Sequence, residues 1–175
     1  MAWYNILLVI FYFLEIVTDI WFGSKFPGYK WKTQSLSFLG QSGSPLEQWV
    51  LVSGVVFTTL ITLFAYTFYQ LNKPKKWAII ATVLLITYGL GEGMGSGCFP
   101  INPPDTIITI NGKLHEIFSS IGDAGLVLFP FALMSMLPKT ENQKLHIYLW
   151  SVVGIGFLMA SFFLIAKYFH PDNFI

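Results

Sequence analysis

Five runs of the chain are each long and apolar enough to cross a bilayer as a helix, and no other feature narrows the possible folds so far. About 20 residues rising 1.5 Å each cover roughly 30 Å of hydrocarbon. The runs occupy about 3–22, 47–70, 76–96, 115–137 and 146–168. Stretches such as AIIATVLLI (78–86) and LVLFPFALM (126–134) do not alternate in character at every second residue, as strands of a membrane barrel would. The expected fold is therefore an all-α integral membrane protein: one bundle of five transmembrane helices, with residues 1–175 forming a single domain.

Composition excludes several partners. Only 11% of residues are charged, against roughly 25% in soluble domains. The formal charge is +1 without like-charge runs, and all 10 basic residues are lysine, so the arginine forks that clamp phosphate are missing and nucleic acid is not an expected partner. Cys98 is the sole cysteine, which rules out an internal disulfide and any multi-cysteine metal site. The opening MAWYNILLVIFYFLEIVTDIW has no basic leader and no small-residue cleavage site, and it carries Glu15 and Asp19, so it reads as a retained first span.

Two connections, LNKPKK (71–76) and PKTENQK (138–144), are short and lysine-bearing, while 23–45 and 96–113 are long. Alternation across the membrane puts both long loops on one face, together with the ends of helices one, three and five and the start of helix four. The short loops are denser in lysine, which places them and the amino terminus in the cytoplasm of a cell (inner) membrane protein. The six tryptophans, Trp3, Trp21, Trp31, Trp49, Trp77 and Trp150, mostly fall near the ends of the spans, where aromatic belts form.

The long-loop half concentrates the polar groups. On helix four, steps of about 100° per residue set His115, Ser119 and Asp123 in one arc, with Glu116 and Ser120 beside it. Asp19 and Glu15 lie near the same-side end of helix one, and Glu92 lies in GLGEGMGSG (89–97) at that end of helix three. Ser35, Ser37, Gln41 and Ser42 stand in the first long loop, and His170 and Asp172 follow helix five. Ionisable groups within spans are costly and usually face a site. Five acids, Glu15, Asp19, Glu92, Glu116 and Asp123, face little nearby positive charge. They require raised carboxyl pKa values, a bound cation or amine, or loop lysines folded over them.

Three chemistries are open to this constellation. Asp19, Ser35, Ser37, Gln41, Glu92, His115 and Asp123 form a candidate ligand-binding set. His115, Glu116, Ser119 and Asp123 form a candidate catalytic set, with His115 and Glu116 in acid-base roles or Ser119 as nucleophile. His115–Glu116 opens like the zinc motif HExxH, but Ser119 stands where the second histidine belongs. That leaves a divalent metal only a mixed His115, Glu116, Asp123, Glu92 set, and no other cofactor is expected. GLGEGMGSG follows a membrane helix and lacks GK[ST], so it does not read as a phosphate loop. Gly89 with Gly93, and Gly91 with Gly95, have the small-xxx-small spacing that lets helices approach. The Gly89, Gly93 face offers a route to an oligomer, and the glycines permit a helix break beside Glu92.

The loop TQSLSFLGQSGSP (33–45), the segment GSGCFPINPP (95–104) and the following KLHEIFSSIGDAG (113–125) together resemble a bacterial family of small multi-helix membrane proteins designated domain of unknown function nine-nine-eight. The matching motifs are Ser37, Gly40, Gly43, Ser44 and Pro45; Gly97, Phe99 and Pro100; and His115. More faintly, the SxxG...P loop is similar to loops of the Frag1/DRAM membrane proteins, some of which act in lipid remodelling. The resemblance implies a multi-pass bundle and supplies no activity.

On the residues themselves, the leading expectation is a polar, acid-rich pocket in the long-loop half. It would bind or transport a membrane lipid headgroup, a small amphiphile or a cation. A lipid-directed hydrolase or transferase using His115, Glu116 and Asp123 is the alternative. The third reading is an assembly subunit without chemistry, whose polar residues only cap helices and tie loops, with Asp105 and Asn111 as caps near the start of helix four.

Overall fold

The computed structural model describes residues 3–32, 34–103 and 106–169. The chain is all helical there, and five helices are long and apolar enough to span a membrane. They are α1 (Trp3–Lys25), α3 (Glu47–Asn72), a composite third span, α6 (Ile110–Met136) and α7 (Gln143–Phe169). A four-residue helix, α2 (Leu36–Leu39), lies within the first long loop. The third span begins as α4 (Lys76–Tyr88), passes through a π-helical segment at Gly89–Gly95 and ends as the short α5 (Ser96–Cys98).

The start of the fourth span and the glycine-rich end of the third differ most from the sequence reading. The fourth span begins at Ile110 and not near 115, because Thr109 caps it: the Thr109 hydroxyl accepts from the Gly112 N–H at 3.3 Å. Asn102 Oδ1 in turn accepts from the Thr109 N–H at 3.0 Å. Asn111, expected from sequence as a cap, sits inside the first turn, and Asp105, the other such residue, lies outside the described residues. The glycines permit a helix break beside Glu92, but the chain stays helical there. The glycines instead widen the helix into a π turn, a form that needs a local reason to persist.

That reason is packing on two sides. Gly89 and Gly93 face α3, where a Cβ on Gly89 would lie 3.1 Å from the Ile61 side chain and one on Gly93 would meet the Gly54 carbonyl oxygen at 2.7 Å. Gly91 and Gly95 face α6, where added Cβ atoms would come within 2.5 Å of Gly122 Cα and 2.6 Å of the Phe118 ring. Backbones approach closely because no side chain intervenes. The buried Thr58 hydroxyl donates to the Gly89 carbonyl at 2.6 Å, fixing α3 against the π segment. The Gly89, Gly93 face is thus packed against α3 inside the chain.

Small residues also fill the rest of the core. Ala65, Ala78 and Ala81 are fully buried, and Ile61, Leu85 and Phe11 form the apolar centre. α1 lies against α3, with Phe11 and Phe57 ring centroids 4.9 Å apart. α7 touches the bundle mainly through its first half: Leu149 and Val153 are buried, and the buried His146 donates from Nε2 to the Leu137 carbonyl at 2.6 Å. From Gly154 to Ile165 its described side chains are exposed, as a lipid-facing helix would be.

The first long loop folds down on the ends of α1 and α3. Phe22, Leu39 and Leu46 form a second buried cluster, with Phe26, Tyr29 and Val50 around it. Gly40 is required because a Cβ there would meet Val50 at 2.7 Å, and Gly43 adopts φ +80°. The Ser44 hydroxyl donates to the Leu39 carbonyl at 2.5 Å and accepts from the Leu46 N–H at 3.1 Å. The two long loops are tied by Ser42 N–H to the Ile101 carbonyl at 3.0 Å.

Candidate functional site

The polar arc of α6 faces inward because that face also carries Gly112, Gly122 and Gly125, which must lie against neighbouring backbone. A cavity of about 590 Å³ opens there, between α1 on one side and α3, the π segment and α6 on the other, reaching up to the first long loop. Glu15, Asp19, Glu92, His115 and Asp123 all line it, with Ser37 and Ser96 near its mouth. Phe11, Phe57, Leu60 and Leu126 supply apolar wall. Among the described residues, no lysine lines it.

Two of the acids lie well inside their helices. Glu15 lies ten residues before the end of α1 and Asp123 thirteen after the start of α6, or about 15 and 20 Å at 1.5 Å per residue. Glu15 is within electrostatic reach of Asp19 and Glu92, and Glu92 of Asp123. Tyr88 sits among Glu15, Glu92 and Asp123, and its ring meets Phe57 edge-on at 5.3 Å. The Ser119 hydroxyl donates to Glu92 Oε1 at 2.5 Å, and Ser96 Oγ donates to the Glu92 carbonyl. Outside the spans, burial first and then the Asp19 charge hold the Tyr29 hydroxyl above its ordinary range.

His115 is oriented by the end of the third span. Its Nδ1 lies 3.0 Å from the Ser96 carbonyl and 2.8 Å from the Phe99 carbonyl. Carbonyl oxygens only accept, so Nδ1 carries a proton and donates to them. Phe99 also stacks on Phe118 of α6, with centroids 5.3 Å apart and planes 7° from parallel.

Several residues singled out in the sequence are not brought to this site. Glu116 and Ser120 are exposed, since one step of about 100° from His115 or Ser119 leaves the inward arc. Ser119 bonds to Glu92 and not to His115, so a serine nucleophile activated by that histidine is not assembled. Ser35 is exposed at the N-cap position of α2. Gln41 is turned into the loop, where its Oε1 is buried without a partner. Among the described residues, no group of three or more His, Cys, Asp or Glu side chains is placed to hold a metal ion. The mixed set of His115, Glu116, Asp123 and Glu92 is therefore not gathered. Lys25, Lys30 and Lys32 are exposed and do not fold over the acids. His170 and Asp172 lie outside the described residues.

Sequence reasoning missed Tyr88, Phe11 and Phe57 as cavity walls, because an aromatic residue in an apolar span looks like any other core or lipid-facing side chain. It also missed Thr58. A hydroxyl within a span most often bonds its own helix, so nothing in the sequence marks the one that reaches across to Gly89.

Fold and site together define a multi-pass helical membrane protein with an acid-lined cavity in its long-loop half. The chain matches the family described as Protein of unknown function (DUF998) over residues 8–173, and it belongs to that family. No curated protein and no solved structure matches it. The motifs that carried the resemblance meet at the mouth of the cavity: the SxLGxxGSP loop through Ser42 to Ile101, and the FP segment through Phe99 to His115.

Proposed function

We propose that this is a protein of the bacterial cell membrane that binds, and passes between membrane and exterior, an amphiphile with a polar or cationic headgroup. The observation that carries the reading is the cavity itself, apolar along one wall and lined by four carboxyl side chains and, among the described residues, by no lysine. Acidic groups at that depth require compensation. A headgroup placed among Glu15, Asp19, Glu92 and Asp123 supplies it, while an attached tail lies along Phe11, Leu60 and Leu126.

The experiment is native mass spectrometry of the full chain released from mild detergent. An adduct of a few hundred daltons, about the mass of a single-tailed amphiphile, is expected on the wild type and is expected to disappear when Leu60→Trp fills the apolar wall. A protein that flies bare from several membrane sources, under conditions that preserve adducts on a control, would count against the reading.

The same reading sets the amino terminus and short loops in the cytoplasm and the cavity mouth outside. Lys73, Lys75, Lys76, Lys139 and Lys144 in or beside the short loops support that orientation. Cys98 tests it without any mutation, being the sole cysteine, exposed and on the long-loop side. A membrane-impermeant maleimide added to intact spheroplasts is expected to label it. Labelling only after the membrane is opened would invert the topology.

A further inference from the structure

We infer that the cavity is open sideways to the bilayer between α1 and α6, and that its ligand is a lipid already dissolved in the membrane, entering from the side and leaving its tails in hydrocarbon. The inference rests on the cavity reading above and narrows the ligand to long-tailed and two-tailed amphiphiles. The observation is the state of the cavity wall. Leu126 lines the cavity and is 44% exposed. It is flanked one turn away on either side by the buried Gly122 and Pro130, so it lies on the inward arc of α6 and its exposure marks a gap between helices, not the outer surface of α6.

The facing helix leaves the same gap. Glu15 of α1 lines the cavity, yet Tyr12 and Ile16 beside it are 62% and 60% exposed. α1 packs on α3 and α2, whereas α6 packs on α4, the π segment, α5 and α7. Among the described residues, nothing fills the space between α1 and α6. α6 has 27 residues and Leu126 comes sixteen after its start, about 24 Å along a helix of about 40 Å. A hydrocarbon layer of about 30 Å placed anywhere within that length includes Leu126. The surroundings at that point are lipid tails, continuous with the lipid-facing sides of both helices.

An open side has a chemical consequence. In a closed cavity of about 590 Å³, a tail longer than the space, or a second tail, overpacks the wall. Where the side is open, the excess passes Leu126 into hydrocarbon as apolar as the wall itself, and added methylenes cost nothing. Only the headgroup and the first part of the tail then need to fit.

Two matched pairs of amines test this. Dodecylamine and octadecylamine differ in tail length, and N-methyldodecylamine and didodecylamine differ in tail number while both are secondary amines. Each is titrated calorimetrically into the full chain in phosphatidylcholine nanodiscs, with empty discs as reference and affinity expressed per mole fraction of amine in the disc. Within each pair the affinities are expected to agree within about threefold. Leu126→Trp sets a larger ring in the gap and is expected to weaken didodecylamine about tenfold relative to N-methyldodecylamine.

A fall of about tenfold or more at octadecylamine or didodecylamine in the wild type means a cavity closed to the bilayer. That overturns the lateral opening and leaves the cavity reading standing. An unchanged didodecylamine ratio in a folded Leu126→Trp overturns the placement of the opening between α1 and α6. If none of the four amines binds, the inference and the reading of a cationic amphiphile fall together. The wild-type pairs decide even if the variant does not fold.

Discussion

Gly91→Val is expected to destabilise the purified protein by about 3 kcal/mol or more, at the upper end of overpacking costs. A Cβ at residue 91 would lie 2.5 Å from Gly122 Cα, 2.6 Å from Gly122 N and 2.6 Å from the Phe118 carbonyl oxygen. All three are backbone atoms of α6, so no side chain can rotate aside. Relief requires α6 to move away from the π segment, which would also part Ser119 from Glu92 and His115 from the Ser96 and Phe99 carbonyls. The matched control is Gly154→Val on α7, where an added Cβ meets nothing within 4 Å. It is expected to stay within about 0.5 kcal/mol of wild type, as exposed substitutions do. Thermal unfolding in detergent, followed by tryptophan fluorescence, measures both. Equal melting of the two variants would mean that the glycine contact between α6 and the π segment is not what holds the bundle together.

The contrast between those two glycines shows what the sequence can and cannot tell. Spacing alone pairs Gly89 with Gly93 and Gly91 with Gly95, and both pairs do let helices approach. An offset of two residues, about 200°, also puts the two pairs on opposite faces of the helix. What spacing does not say is which helices lie there, or that contacts from α3 and α6 hold the segment as a π turn. The five spans are legible because the bilayer demands length and apolarity and little else. The start of α6 is not, because INGKL is polar and reads as loop until Thr109 and Asn102 are seen to cap it.

The site divides in the same way. Asp123, Ser119 and His115 follow from helical periodicity, and Glu92 follows from the cost of a charge within a span. Glu116 has the same chemistry as its neighbour and the wrong angle. Glu15 and Asp19 are, in sequence, equally consistent with a headgroup-facing position, because periodicity describes one helix and not the direction in which its neighbour lies. Only the packing of α1 on α3 settles that they line the cavity with Glu92.

The double substitution Glu92→Gln, Asp123→Asn is expected to lower the affinity for dodecylamine by about 100-fold, from the loss of two charge-assisted contacts at roughly 1.5–3 kcal/mol each, which need not be fully additive. The substitutions keep shape, and the glutamine introduced in place of Glu92 still presents an amide oxygen to the Ser119 hydroxyl, so the ligand-free bundle should fold. It should even melt slightly higher. Glu15, Asp19, Glu92 and Asp123 repel one another wherever two are ionised together, and removing two of them relieves that repulsion. A site that weakens when stabilised is the mark of groups kept for binding at the expense of the fold. The opposite pairing, lower stability with unchanged affinity, would assign Glu92 and Asp123 to holding helices together. Calorimetric affinity and melting temperature, measured on the same preparation, separate the two.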